Sequence, residues 1–378
     1  MTEQLKLKLN DSKATRWGAL VIVAFTMMAA YYVNDVVAPL KTMLETDLAW
    51  SSTDFGFFTG GYSFLNVFFL MLIWGGLILD RFGIRFTGKL ATILMVGGTA
   101  LEYYAMTGLA GADATLFGIN EIFGYKTGVF VAFAGYSIFG VGAEVAGITV
   151  SKIIAKWFKG KELATAMGVQ VALARIGSQA GYAVAIPLAR AFGISTPVLL
   201  GLVLLLGGMI AFFVFAVMDK KLDKQMEAAA IAAGTEDEEE KFSFKDVKNI
   251  LVNPGFWLIA LLCVLFYSCV FPFQKFASEL MIIKYGINEN VAGTFAGLPA
   301  LGALILTPVF GGFIDKRGKS ASIMLLGSAM LICVHFIYAI PDINYWLVAI
   351  VLMIILGIAF SLVPSAMWPA VAKIFPVS

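Results

Sequence analysis

Ten apolar stretches, each long enough to cross a bilayer, follow one another along this chain and leave it few folds to adopt. Spanning the hydrocarbon takes about 20 residues as helix. The stretches run at about 17–40, 55–79, 88–110, 128–154, 162–190, 195–217, 255–279, 291–314, 320–340 and 344–368. Most connections between them are short, so successive spans are expected to be antiparallel neighbours. Only 14% of the 378 residues are charged and 60% are hydrophobic, whereas a soluble chain carries roughly 25% charged residues. So little charge cannot cover an apolar core, so lipid is the solvent for much of the surface. The reading is an all-α polytopic membrane protein. Residues 1–16 are polar, and the run from Trp17 has no cleavage motif, so it stays as the first span.

Basic residues orient the chain. With the N-terminus in the cytoplasm, 21 of the 27 Lys and Arg lie on the inner side, and only Lys41, Lys126, Arg190 and Lys284 fall in outer loops. The net charge of +2 and the absence of a long basic stretch give no reason to expect nucleic acid. Cys263, Cys269 and Cys333 lie in apolar stretches without metal or redox spacing and read as small packing residues. One long polar stretch, 218–254, carries the acidic run Glu236, Asp237, Glu238, Glu239 and Glu240. It reads as a solvated cytoplasmic linker between a six-helix bundle, 1–217, and a second bundle of four helices, 255–378.

The two halves repeat each other. Residues 76–85 read GLILDRFGIR and residues 311–319 read GGFIDKRGK. Both fit G-x-x-x-D-[RK]-x-G followed by a base, and both fall on the inner side. The first is built on Gly76, Asp80, Arg81, Gly83 and Arg85, the second on Gly311, Asp315, Lys316 and Gly318. Gly140 and Gly357, Ala155 and Ala372, and Lys156 and Lys373 are each 217 positions apart. Two parallel repeats follow. A glycine near the helix end is expected to let neighbouring helices approach. The Asp, beside a helix terminus and basic partners, is expected to lock the inner face in one state; a plain tight turn is the alternative.

On this duplicated motif the chain resembles the major facilitator superfamily, whose members have twelve helices in two bundles around a central cavity. The resemblance covers the whole chain and implies that fold, yet ten spans are present. After Phe158 the first half uses about 60 residues for its last two helices, and after the matching Phe375 three residues remain. The expectation is that the last two of twelve helices are missing.

Ionisable groups inside spans cost roughly 2.5–3.5 kcal/mol each on insertion scales, so each needs a reason. Glu144 and Arg175 lie near the middle of the fourth and fifth spans, with opposite sign and similar depth. They read as a buried ion pair, as a cavity pair that meets substrate charges, or as both. Asp35, with Asn34, Tyr31 and Tyr32, clusters in the outer part of the first span, either facing a cavity or capping at the interface. Glu102 in the third span divides between cavity and packing. Tyr267, Gln274 and Lys275 in the seventh are candidates, with Lys275 also able to snorkel outward. His335 reads as a satisfied interhelical hydrogen bond rather than a proton relay.

One stretch narrows the resemblance. Glu144 opens EVAGITVSK, WFKGKEL follows at 157–163, and ARIGS at 174–178. Together with the runs Phe271-Pro272-Phe273 and Met367-Trp368-Pro369, these are similar to the branch of the superfamily that includes a lysosomal dipeptide transporter. The resemblance implies alternating-access movement of dipeptides, with Glu144 and Arg175 as partners for the peptide's ammonium and carboxylate. A carrier of another organic ion, such as an amino acid or carboxylate, and a non-transporting receptor or assembly subunit are the alternatives. The first span lacks the E-x-x-E-R motif of peptide/proton symporters, which leaves coupling open, and the fifth lacks the G-P-x-x-G-G pattern of drug antiporters. No span offers a nucleophile–base pair and there is no glycine-rich phosphate loop, so no enzyme, metal or cofactor is expected. The expected setting is a monomer in the lipid bilayer with a small-molecule substrate. Short loops point to a bacterial inner membrane, and the resemblance to a lysosomal one.

Overall fold

Short polar side chains start several of the helices where the apolar runs begin. In the computed structural model, which describes residues 8–111, 114–233 and 251–374, Ser12 accepts from Thr15 N and opens α1 (Lys13–Val36). Ser51 and Asp54 form a reciprocal capping box at the head of α3 (Ser52–Phe68). Asn253 caps α8 (Pro254–Ile283), whose first residue is the proline that position tolerates best.

The chain divides into two compact units, Met1–Glu236 and Asp237–Ser378. In the first, α1 is followed by a 3-10 turn at Ala38–Leu40, α2 (Lys41–Asp47), α3 and α4 (Met71–Ala105). A two-stranded antiparallel hairpin, β1 (Glu121–Ile122) and β2 (Tyr125–Lys126), pairs Glu121 with Lys126 and Ile122 with Tyr125. Then come α5 (Thr127–Trp157), α6 (Leu163–Phe192) and α7 (Thr196–Ala233). α5 packs between α3 and α4, and α1 packs on α6 and α7. The second unit holds α8, α9 (Glu289–Ala296), α10 (Leu298–Arg317), α11 (Ser320–Ala339) and α12 (Trp346–Ile374), with α12 against α10 and α11.

Among the described residues seven helical stretches are long and apolar enough to cross a membrane, and the bent pair α3–α4 makes an eighth. α6 is 30 residues long but is not one of them, because it carries Gln170, Arg175, Ser178 and Gln179. Large apolar side chains such as Val21, Ile73, Trp257 and Leu325 face outward, as a lipid-solvated surface requires.

The repeat is visible in the backbone. Gly83 has φ +75° and Gly318 has φ +66°, so the motif's second glycine takes the left-handed region in both halves. A Cβ on Gly140 of α5 would collide with the carbonyl of Tyr62 in α3, and one on Gly357 of α12 would sit 3.2 Å from Pro299 Cα in α10. Corresponding glycines thus seat corresponding helices.

Several expectations need correction. The span expected at 55–79 is broken: α3 ends at Phe68, Leu70 has φ +51°, and α4 leaves at 58°. The loop expected before the third span is only a kink at Gly83 inside α4. The close approach expected at Gly76 and Gly311 is absent among the described residues; it occurs at Gly75, where a Cβ would lie 2.6 Å from Val145 Cγ2. The stretch from 218 begins as helix, since α7 runs to Ala233; the acidic run Glu236–Glu240 lies outside the described residues. Lys41, read as an outer-loop lysine, is buried, with Glu45 at 2.7 Å and Ser52 at 2.8 Å. Cys269 and Cys333 are exposed rather than packed. His335 Nε2 has no hydrogen-bond partner among the described residues, and its ring instead meets Phe273 edge-on at 4.9 Å.

Candidate functional site

Helical spacing places the polar groups of the first unit in two layers. On α1, Tyr31 and Asp35 are four residues apart and share a face; on α6, Arg175 and Ser178 do the same at a spacing of three. The Arg175 guanidinium lies 5.6 Å from the centre of the Tyr31 ring. Asp35 accepts from the Ser178 hydroxyl and, at 2.8 Å, from Asn34 Nδ2. α1 and α6 lie close because a Cβ on Gly177 would run into the Met28 carbonyl. Asp35 therefore accepts from side chains of both α1 and α6.

α5 carries the second layer. Tyr62 of α3 donates to Glu144 Oε1 at 2.8 Å. Two turns earlier on α5, Tyr136 donates to the Asn34 carbonyl at 2.7 Å and links this layer to α1. Glu144 and Arg175 are each only partly buried. Glu102, by contrast, is fully enclosed where α4 meets α5, with its backbone against Gly135. In the second unit Tyr267 stacks on Phe271 at 5.2 Å and meets Phe360 edge-on at 6.5 Å. Gln274 is buried on the same helix, and Lys275 beside it is partly buried.

The inner end of the first unit holds a dense ionic network. Asp80 pairs with Lys152 of α5 at 2.9 Å. Arg85 reaches Asp223 at 2.7 Å and Asp219 at 3.6 Å, both on α7. Lys156 contacts the same two carboxylates at 2.5 and 2.7 Å, and Trp157 Nε1 donates to Asp219 at 3.0 Å. The WFKGKEL stretch closes onto the N-terminal segment: Lys161 meets Asp11 at 2.7 Å and the Asn10 carbonyl at 2.8 Å, while Glu162 meets Arg16 at 2.6 Å. Arg81 lies over Phe82 at 5.5 Å. In the second unit Lys316 is exposed near the end of α10, and the Asp315 side chain is outside the described residues.

The reading of the sequence missed Tyr62, Tyr136, Asp219 and Asp223. A period-4 polar pattern, Tyr62 then Asn66, was the available signal for the first. The α7 carboxylates were hidden because that stretch reads as linker.

The chain is 28% identical to the lysosomal dipeptide transporter MFSD1 of Homo sapiens over 377 residues, covering 96% of this chain and 74% of the relative. It is 26% identical to the protein of the same name from Danio rerio, covering 94% and 73%. Among solved structures, the xylose transporter XylE from E. coli in a partially occluded inward-open conformation has a TM-score of 0.64 at 15% identity, covering 96% of this chain and 85% of that one. Tetrameric PepTSo2 has a TM-score of 0.62 at 12% identity, covering 92% and 82%; at such identities these two likenesses establish the fold. The family model of the Major Facilitator Superfamily matches residues 19–378. With the duplicated inner motif and the helical order already described, that match makes the chain a member of the Major Facilitator Superfamily, a multi-pass membrane transporter of a small molecule and not an enzyme.

Proposed function

We propose that this transporter carries dipeptides or similar small zwitterions by alternating access, with Glu144 taking the ammonium and Arg175 the carboxylate. The observation that carries the reading is the way the two are held. Glu144 is anchored through one oxygen to Tyr62 and Arg175 lies over Tyr31, while both keep part of their surface open. A carboxylate on α5 and a guanidinium on α6 complement the two ends of a zwitterion, and charge-assisted bonds of this kind are about twice as strong as neutral ones. The relatives named as dipeptide transporters support the substrate class. In this reading Tyr31, Asp35 and Ser178 brace the guanidinium side, and Glu102 is a packing group. Tyr267, Gln274 and Lys275 are candidate contributions of the second unit. The two copies of the inner motif, Gly76–Arg85 and Gly311–Lys319, act as gates, with Asp80–Lys152 and Arg85–Asp223 opening and re-forming during the cycle. The relatives' name also favours a lysosomal membrane over a bacterial one.

The test is counterflow of a labelled dipeptide into proteoliposomes, beside Glu144→Gln and Arg175→Ala. Uptake by the parent that collapses in both variants supports the reading. A well-inserted protein with no dipeptide uptake, but with uptake of an amino acid or carboxylate, replaces it with a carrier of another organic ion.

A further inference from the structure

We propose that Asn66 is a further substrate-binding residue, a second acceptor for the primary ammonium held at Glu144. This rests on the reading that Glu144 faces substrate. α3 and α5 run in the same direction: Gly61 lies against Phe133 and Ser137, and Tyr62 lies against Gly140. The Tyr62 hydroxyl then reaches on to Glu144, four residues beyond Gly140. Asn66, four residues beyond Tyr62, is therefore level with Glu144.

The chemistry of the amide fixes which end is available. Asn66 Nδ2 donates to the Tyr62 carbonyl at 3.1 Å. That carbonyl can only accept, so the nitrogen must point at it and the oxygen must point away. Asn66 Oδ1 is buried and has no hydrogen-bond partner among the described residues. A buried acceptor of this kind costs free energy unless something donates to it. Half a turn later α3 ends at Phe68, and the last carbonyls of a helix carry its negative pole. Irregular backbone at membrane depth occurs where it is covered by protein or lines a cavity.

Three features of one sign lie at about this level of the first unit: the Glu144 carboxylate, the Asn66 carbonyl oxygen and the C-terminal end of α3. A primary ammonium brings three donors and no acceptor, which matches two side-chain acceptors at one level. A quaternary ammonium, with no N–H, leaves Asn66 Oδ1 unserved. Asn66 thus makes the site select for a free amine, where Glu144 alone would accept any cation.

The experiment measures binding to the full chain in lipid nanodiscs by ligand-induced thermal shift. The probes are Ala-Ala, N-acetyl-Ala-Ala and alaninamide, which keeps the ammonium and lacks the carboxylate. Asn66→Ser retains a hydroxyl that can bond the Tyr62 carbonyl but cannot extend an acceptor toward Glu144; Asn66→Leu removes both. Affinities are compared as ratios within each protein, so a lowered unliganded melting temperature does not enter. The expected result is about a tenfold weaker binding of Ala-Ala and alaninamide in both variants, the effect of one hydrogen bond to a charged group, with N-acetyl-Ala-Ala unchanged. Parent-like binding of the free amines by either variant overturns the proposal, as does equal weakening of all three probes. If the parent binds alaninamide but not Ala-Ala, the dipeptide reading fails and Asn66 is judged on alaninamide alone. If the parent binds neither, both readings fail.

Discussion

Trp157 Nε1 donates at 3.0 Å to Asp219 Oδ1, the oxygen that Lys156 also contacts at 2.7 Å. One fully buried carboxylate on α7 therefore holds the inner end of α5 through two consecutive side chains, and Arg85 lies 3.6 Å from its other oxygen. Removing it leaves the Trp157 indole without its acceptor and the two cations with Asp223 alone. Asp219→Ala is expected to destabilise the protein by about 3 kcal/mol, the low end for a broken buried pair, because Lys156 and Arg85 retain some solvent. Melting in detergent measures this. Asp223→Ala, at a half-exposed position, is expected to lower the melting temperature much less, and equal losses would contradict the assignment of Asp219 as the hub.

Tyr62→Phe removes the hydroxyl that holds Glu144 Oε1. The loss of one hydrogen bond to a charged group corresponds to about tenfold in affinity. Dipeptide counterflow is expected to show KM raised by about that factor, with insertion and melting little changed because the ring remains.

Gly177→Val places a side chain against the Met28 carbonyl, where no rotamer relieves the collision. α1 and α6 must separate, at a cost of about 1–3 kcal/mol. Gly168→Val, whose position has no atom within 4 Å of an added Cβ, is the control. The comparison of their melting temperatures checks the claim.

The Lys161 ammonium and then the Lys8 backbone N–H hold the Asp11 carboxyl below its ordinary value of 3.8. A depressed folded-state value means that the docking of the N-terminal segment is stabilised above about pH 4 and is lost as pH falls through the lowered value. The mobility of a spin label at Leu9→Cys, with the native cysteines replaced, is expected to be the same at pH 7 and pH 5 and to rise only in stronger acid. Asp11→Asn is expected to raise it at pH 7 and pH 5 to the level that the parent reaches only in stronger acid.

The membrane spans were legible because hydropathy over about 20 residues is set by lipid and hardly by tertiary contacts. The repeat was legible for a local reason: Gly83 and Gly318 are needed wherever the backbone takes positive φ. Glu144, Arg175 and Asp35 stood out because charge inside a span is costly. Their partners did not, since Tyr62 and Ser178 are ordinary residues in apolar helices and acquire meaning only from the faces that helix packing brings together. The break at Phe69–Leu70 was hidden for the opposite reason: every residue there is apolar, so hydropathy runs straight through it. Gly76 and Gly311 show the limit of reading spacing alone, for the helix-seating glycine of the first unit is its neighbour Gly75.

α7 is 38 residues long, and the part from Asp223 to Ala233 extends about 15 Å beyond the ionic network at 1.5 Å per residue. A rigid rod projecting beyond its ion pairs is a lever. A tilt of α7 by about 10° within the bundle would sweep its end through roughly 3 Å. A movement too small to resolve at Glu144 thus becomes a displacement of atomic size at the end of α7. A fluorophore there would read the state of the transporter from the water, without touching the path of the solute.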